Sequence, residues 1–175
     1  MIIVTGGAGF IGSNLVRGLN DAGEDNLLIV DHLKNAVKHL NLNCVRIADF
    51  LDKTQFLEQL EQFREVRAIF HQGACSDTMA TNGQQVMQTN FTFSKNLLKV
   101  CIESQISLIY ASSAAVYGRD GPFAVGEKNE TPLNVYAYSK YLFDQLVRSR
   151  LSECRSQVAG LRYFNVYGPR EAHKG

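Results

Sequence analysis

Residues 4–12 read "VTGGAGFIG". Gly6, Gly9 and Gly12 stand three apart, and Gly7 with Gly9 and Gly12 also satisfies a G-x-G-x-x-G spacing. Glycine loses more backbone freedom on folding than any other residue, so a cluster at the first turn calls for something that approaches the backbone closely. Alone, the pattern also fits an ordinary tight turn, and its surroundings decide between the two. "MIIVT" (1–5) before it is a short apolar, β-branched run that predicts a buried strand. After it, Ile11, Leu15 and Leu19 recur every four residues, a helix face that ends at Gly23. Asp31 closes the next apolar run, "NLLIVD" (26–31), nineteen residues past Gly12. Strand, glycine turn, helix and downstream acid make the dinucleotide-binding arrangement: one glycine for the turn, one for backbone approach, one for helix–strand packing. A pyrophosphate is expected on the N–H groups that open the helix, where the helix dipole favours negative charge.

The remaining elements extend the same alternation. "NCVRIA" (43–48) is expected to be the third strand and "KTQFLEQLEQF" (53–63) a helix with Phe56, Leu57, Leu60 and Phe63 on one side. "VRAIFHQ" (66–72) predicts strand four, a long helix follows from about Asn82 to Ser104, and "SLIYASS" (107–113) predicts strand five. A loop with Pro122 and Pro132 leads to the helix "VYAYSKYLFDQLVRSRL" (135–151), and "SQVAGLRYFN" (156–165) supplies strand six. Strands apolar on both sides that alternate with helices specify an α/β fold: a Rossmann-type, doubly wound parallel sheet with helices on both faces. All three prolines fall in connections, as such a sheet requires.

Size and charge narrow the function. The 175 residues suffice for one domain with a real core, and 45% hydrophobic with 20% charged residues is ordinary for a globular chain. A net charge of +1 provides no field to gather nucleic acid or an anionic membrane. No apolar run approaches the length of a membrane span, and because Met1 leads directly into a predicted strand no signal peptide is expected. Cys44, Cys75, Cys101 and Cys154 lie far apart, and His32, His39, His71 and His173 show no ligand spacing, so no metal is expected. A cytoplasmic enzyme or binding module is the expectation.

Two further stretches carry chemistry. "NVYAYSK" (134–140) contains Tyr136 and Lys140, which a helix places at i and i+4 on one face. A surface Tyr/Lys contact would do the same, but the upstream glycine loop suggests a catalytic pair. A free tyrosine titrates near ~10, and a neighbouring ammonium together with an oxidised nicotinamide would lower it toward a working base. "YASSAAVYG" (110–118) ends strand five at the carboxyl edge, where open α/β sheets bind ligands. Ser113 there is expected to hydrogen-bond the reacting oxygen, and Ser112 to cap a turn. At the adenosine end, Asp31 is expected to accept from a ribose. Lys34 and Lys38 in "DHLKNAVK" (31–38) either neutralise a 2′-phosphate, which favours NADP over NAD, or are solvated surface charges.

The set "TGGAGFIG", "SSAAVYG", "YAYSK" and "RYFNVYGPR" resembles the extended short-chain dehydrogenase/reductase superfamily, in its sugar-nucleotide branch. "FHQGACSDT", "PLNVYAYSKYLFD" and "LRYFNVYGPREAHKG" resemble, more narrowly, the ADP-L-glycero-D-manno-heptose 6-epimerase family. That resemblance implies an isomerase of lipopolysaccharide-core heptose synthesis that holds NADP. It would oxidise C6 of ADP-heptose to a ketone and return the hydride to the other face. By position it implies cofactor contacts at Gly6, Gly9, Phe10, Ile11, Gly12, Asp31, His32, Lys38 and Lys53, and along Gln72, Gly73, Ala74, Cys75 and Ser76. Asn90, Lys140 and Val166 complete that set. Tyr136 matches the base, Ser113 its helper, Lys174 a second acid/base, and Asn165, with Ser113 and Lys174, the substrate side. His32 stands where the family often has Asn, and Thr89-Asn90 where it has paired asparagines.

The same resemblance implies that residues 1–175 are the NAD(P)-binding domain, with 162–175 leading toward a C-terminal substrate domain, and a homo-oligomeric full-length protein. Other readings are a sugar-nucleotide 4-epimerase, a 4,6-dehydratase, or a non-catalytic dinucleotide-binding module. A dehydratase would need an Asp-Glu pair near "SSAAVYG", which the sequence lacks.

Overall fold

Six short strands pair into one parallel sheet in the order β3-β2-β1-β4-β5-β6, with the most apolar runs at its centre and the half-exposed β3 and β6 at its edges. The computed structural model describes residues 1–63, 65–119 and 124–171. β1 (Ile2–Thr5) and β2 (Leu27–Asp31) are buried at every position. They are flanked by β3 (Asp49–Asp52), β4 (Ala68–His71), β5 (Ser107–Ser113) and β6 (Val158–Tyr163). The helices are α1 (Phe10–Asp21), α2 (Lys53–Gln59), α3 (Gly83–Met87), α4 (Phe93–Ser104) and α5 (Val135–Arg150). A π turn, Gln88–Thr92, joins α3 to α4 within the span expected as one long helix.

Because side chains alternate across a strand, the sheet feeds two cores. Ile3, Leu28, Val30, Ile69 and Leu108 point to one face, where Phe56 of α2, Leu97 and Cys101 of α4, and Phe143 and Val147 of α5 cover them. Ile2, Val4, Leu27 and Ile29 point to the other, under Leu15, Val16 and Leu19 of α1. The strand order reverses between β1 and β4, so their following loops part toward opposite faces and leave a crevice at the carboxyl edge. Among the described residues no helix is long and apolar enough to cross a membrane.

The third strand lies later than the apolar run 43–48 suggested: it is Asp49–Asp52, paired from Leu28↔Asp49 onward. The Asn20 side chain of α1 explains the shift. Its amide donates to the Arg46 carbonyl (2.9 Å) and its oxygen accepts from the Arg46 N–H (2.8 Å), so one side chain meets the needs a ladder would have met. Val45 and Ile47 still pack into the second core, but from a loop.

Candidate functional site

The glycine loop is shaped by contact. Gly6 has φ +70, and a Cβ there would sit 2.6 Å from the Gly73 Cα in the loop after β4. A Cβ on Gly12 would lie 2.1 Å from the Gly6 carbonyl oxygen, inside the turn itself. Both are excluded by backbone, which does not yield. Gly9 differs: its added Cβ would meet only the Gly6 oxygen at 3.2 Å, so what remains beside it is open space. Gly9 is also the N-cap of α1, with no side-chain cap and no acid in the first turn. The helix start is thereby left facing outward with its partial positive charge intact.

That start borders a cavity of about 850 Å³ at the carboxyl edge of β1, β4 and β5. Gly6, Gly9, Phe10, Ile11 and Gly12 line it from the first loop and helix, and Gln72, Gly73, Ala74 and Ser76 from the loop after β4. Asp31, His32 and Lys38 line one end, with Lys53 from α2. Ser113, Tyr136 and Lys140 line the other, with Asn165 and Val166 beyond β6. Cys75 and Asn90 do not line it, and Lys174 lies outside the described residues. On β3, Phe50 packs into the second core and Asp49 is exposed.

Asp31 is turned back into the protein. Its Oδ2 accepts from the Ala8 N–H of the glycine loop (2.9 Å), and its Oδ1 from the His32 N–H (2.7 Å) and Lys38 Nζ (2.9 Å). The carboxylate is 6% exposed, so it holds the loop and Lys38 in place before it meets any ligand. Around it the charge is positive. Burial, and then Lys38, push the His32 imidazole below its usual range, and its Nδ1 is buried without a partner among the described residues. Lys53 is likewise lowered by burial and then by Lys34. A polar atom without a partner beside two lysines suits an anionic group that can supply acceptors and charge.

At the opposite end, Lys140 is 5% exposed and donates from Nζ to the Ala111 carbonyl at the end of β5 (2.7 Å). Burial lowers its pKa to about 8, opposed by Asp144 one turn along α5. Ser113 rather than Ser112 caps the turn, and it does so as an acceptor, which leaves its own hydroxyl proton for the cavity. Ser113 Oγ accepts from the Ala115 N–H (3.1 Å) and so caps the 3-10 turn Ala114–Tyr117, while Ser112 Oγ donates to Asp144 (2.8 Å). Asp144 also takes the Tyr110 hydroxyl (2.9 Å) and Arg162, and Arg162 joins Arg148 on Glu130. Arg162 lies over the Tyr117 ring (4.8 Å). This neutral cluster ties β6, and with it Asn165 and Val166, to the helix that carries Tyr136 and Lys140.

Sequence reading overlooked Thr5, which lines the cavity, and His71, Ser94 and Ser139, which with Asn90 continue a polar chain from it. The one trace of it was a histidine at the end of an apolar strand, in "AIFH" (68–71).

A model of the NAD dependent epimerase/dehydratase family matches residues 2–175. The ADP-L-glycero-D-manno-heptose-6-epimerase of Brachyspira hyodysenteriae is 57% identical over all of this chain, which spans 57% of that relative's length. The crystal structure of the Helicobacter pylori ADP-L-glycero-D-manno-heptose-6-epimerase superposes with a TM-score of 0.84 at 35% identity, over 99% of this chain and 57% of that one. A UDP-glucuronic acid 4-epimerase from Bacillus cereus, solved in complex with NAD, superposes at 0.79 with 28% identity, over 97% of this chain and 58% of that one.

Proposed function

We propose, because the chain belongs to the NAD dependent epimerase/dehydratase family, that it forms the cofactor-holding domain of an NADP-using ADP-heptose 6-epimerase. The observation that carries this reading is that Tyr136, Lys140 and Ser113 line the same cavity as the glycine loop. The 57% identity to a heptose epimerase supports the substrate class. The bound nicotinamide would supply a site that takes hydride from C6 of the sugar and gives it back.

The chain's own residues would do the rest. The unhindered backbone at Gly9 and the α1 N-terminus would hold the pyrophosphate. Lys38, fixed by Asp31, and His32 with its unpartnered Nδ1 would hold a ribose 2′-phosphate. Lys140, held by the Ala111 carbonyl, keeps a positive charge one helical turn from Tyr136. Tyr136 would take the proton of the C6 hydroxyl while Ser113 donates to the same oxygen. Lys174 would carry a proton for the other face of the carbon, because one fixed base cannot serve both orientations equally.

Family members are described as NAD dependent, so the choice of NADP needs its own test. Fluorescence titration of this chain with NADPH and NADH should favour NADPH by about 10–100-fold, the worth of one charge-assisted phosphate contact. Lys38→Ala should reduce the preference to a few-fold. Equal affinities that Lys38→Ala leaves unchanged would overturn it. For the reaction, a protein of the relatives' full length should interconvert the two C6 epimers of ADP-heptose. Tyr136→Phe and Lys174→Met should each slow it by about 10²–10⁴ with cofactor retained.

A further inference from the structure

The loop 72–76 that lines the cavity is held from behind by a chain of hydrogen bonds whose direction follows from one committed donor, Ser94. Ser94, on the first turn of α4, donates its hydroxyl proton to the Asn90 carbonyl in the π turn, since a carbonyl can only accept. Ser94 Oγ lies 2.7 Å from His71 Nε2, and with its own proton committed it must accept there, so Nε2 carries a proton. His71 is 2% exposed, and burial, with Lys140 and Lys53 nearby, drives its pKa down to about 3, so the ring is neutral. Nδ1 is therefore an acceptor, and Thr5 Oγ1 at 2.6 Å donates to it. Thr5 in turn accepts a long bond from the Gly73 N–H (3.4 Å). One direction runs from Gly73 through Thr5 and His71 to Ser94 and Asn90.

Asn90 closes the circuit. Its side-chain oxygen accepts from the Cys75 N–H (2.7 Å), and its amide donates to the Cys75 carbonyl (3.0 Å) and to Ser139 Oγ (3.0 Å). Ser139 donates to the Tyr136 carbonyl (2.6 Å). Both ends of the lining loop, Gly73 and Cys75, thus hang on the π turn, and the turn is joined to the helix of Tyr136. The His71 ring is kept in plane by stacking on Phe93 (5.5 Å, 22°), the ring over which Lys53 also lies.

We propose that His71 is a positioning residue: an imidazole, locked as the Nε2–H tautomer between Thr5 and Ser94, that fixes loop 72–76 relative to the glycine loop and the Tyr136 helix. Its consequence for catalysis rests on the function proposed above, but the device itself is measurable without any ligand, so the two can fail separately. Nitrogen-15 NMR of the 175-residue chain should show His71 protonated at Nε2 only, with shifts unchanged between pH 5.5 and 8. Ser94→Ala removes the acceptor and should speed hydrogen exchange at the Gly73 and Cys75 amides about tenfold or more, with the core amides of Leu28 and Ile69 unchanged. A His71 protonated at Nδ1, or titrating in that window, overturns the proposal in the wild-type chain whatever the variant does. Equal acceleration of loop and core amides in Ser94→Ala would also overturn it, because His71 would then only stabilise the fold as a whole.

Discussion

Lowering the pH from 7.5 to 5 should destabilise this chain by about 2 kcal/mol through His71 alone. The folded pKa is about 3 against 6.5 for an unconstrained imidazole, so between these values the unfolded chain binds a proton that the folded chain refuses. Stability therefore rises with pH across that window: it is fully present above 6.5 and is lost progressively as the pH falls toward 3. At pH 5 the unfolded state has moved 1.5 pH units into its titration, and each unit is worth about 1.4 kcal/mol, which gives the ~2 kcal/mol. Carboxylates contribute little above pH 5, and His32, also held below its usual range, adds a fall of the same sign that a His71 variant keeps. The assay is urea unfolding at pH 7.5, 6.5, 5.5 and 5. With a slope of about 2 kcal/mol per molar urea, the midpoint should fall by roughly 1 M over the range. The control is His71→Gln, which cannot titrate. It should be less stable at pH 7.5 yet lose most of the further fall. If the variant and the wild type fall in parallel, His71 is not the residue that refuses the proton, and the buried-neutral argument is wrong.

Other consequences follow from single contacts. Gly12→Ala should cost about 1–3 kcal/mol in thermal or urea unfolding, because its Cβ meets the Gly6 carbonyl at 2.1 Å with no side chain to move aside. Gly9→Val should keep the circular dichroism of the wild type and abolish NADPH binding, since it fills only the open side of the turn; retained binding would mean that the loop is a turn and nothing more. Lys140 should carry a pH signature that an exposed lysine lacks. Its folded pKa of about 8 lies below the ordinary 10.5, so stability rises between those values, by about 3 kcal/mol in full, and Lys140→Met should flatten that rise in unfolding curves. Arg162→Leu leaves Asp144 and Glu130 short of a partner and should cost about 3–5 kcal/mol by the same measurement.

What the sequence made legible is what local chemistry dictates. The glycine turn, the strand and helix periods, and the one-turn spacing of Tyr136 and Lys140 each depend on residues near one another in the chain. The rest depends on partners far apart. The strand at 49–52 could not be placed because Asn20 satisfies Arg46 from 26 residues away. Ser112 could not be told from Ser113 as the turn cap because Asp144, 32 residues on from Ser112, draws the Ser112 hydroxyl to the helix. The contacts that Asp31 makes inside the protein, with the Ala8 N–H and with Lys38 folded back onto it, are not visible in a string of letters. The π turn has no sequence mark at all, yet it aims Asn90 at Cys75 and away from the cavity.

The near-collision of Gly6 and Gly73 makes the two positions unequal members of one evolutionary constraint. At 6 both the backbone angle and the neighbouring Cα, 2.6 Å from any added carbon, forbid a side chain whatever stands at 73. At 73 an added carbon would meet the Gly6 nitrogen at 3.2 Å and Thr5 Oγ1 at 3.3 Å, close enough to strain but within a few tenths of an ångström of relief. A combinatorial library randomised at both sites and selected for folded chain should return glycine alone at 6, with alanine or serine surviving at 73 only beside it. The width of the crevice is thus inherited through one residue, and its partner can only drift within the limit that residue sets.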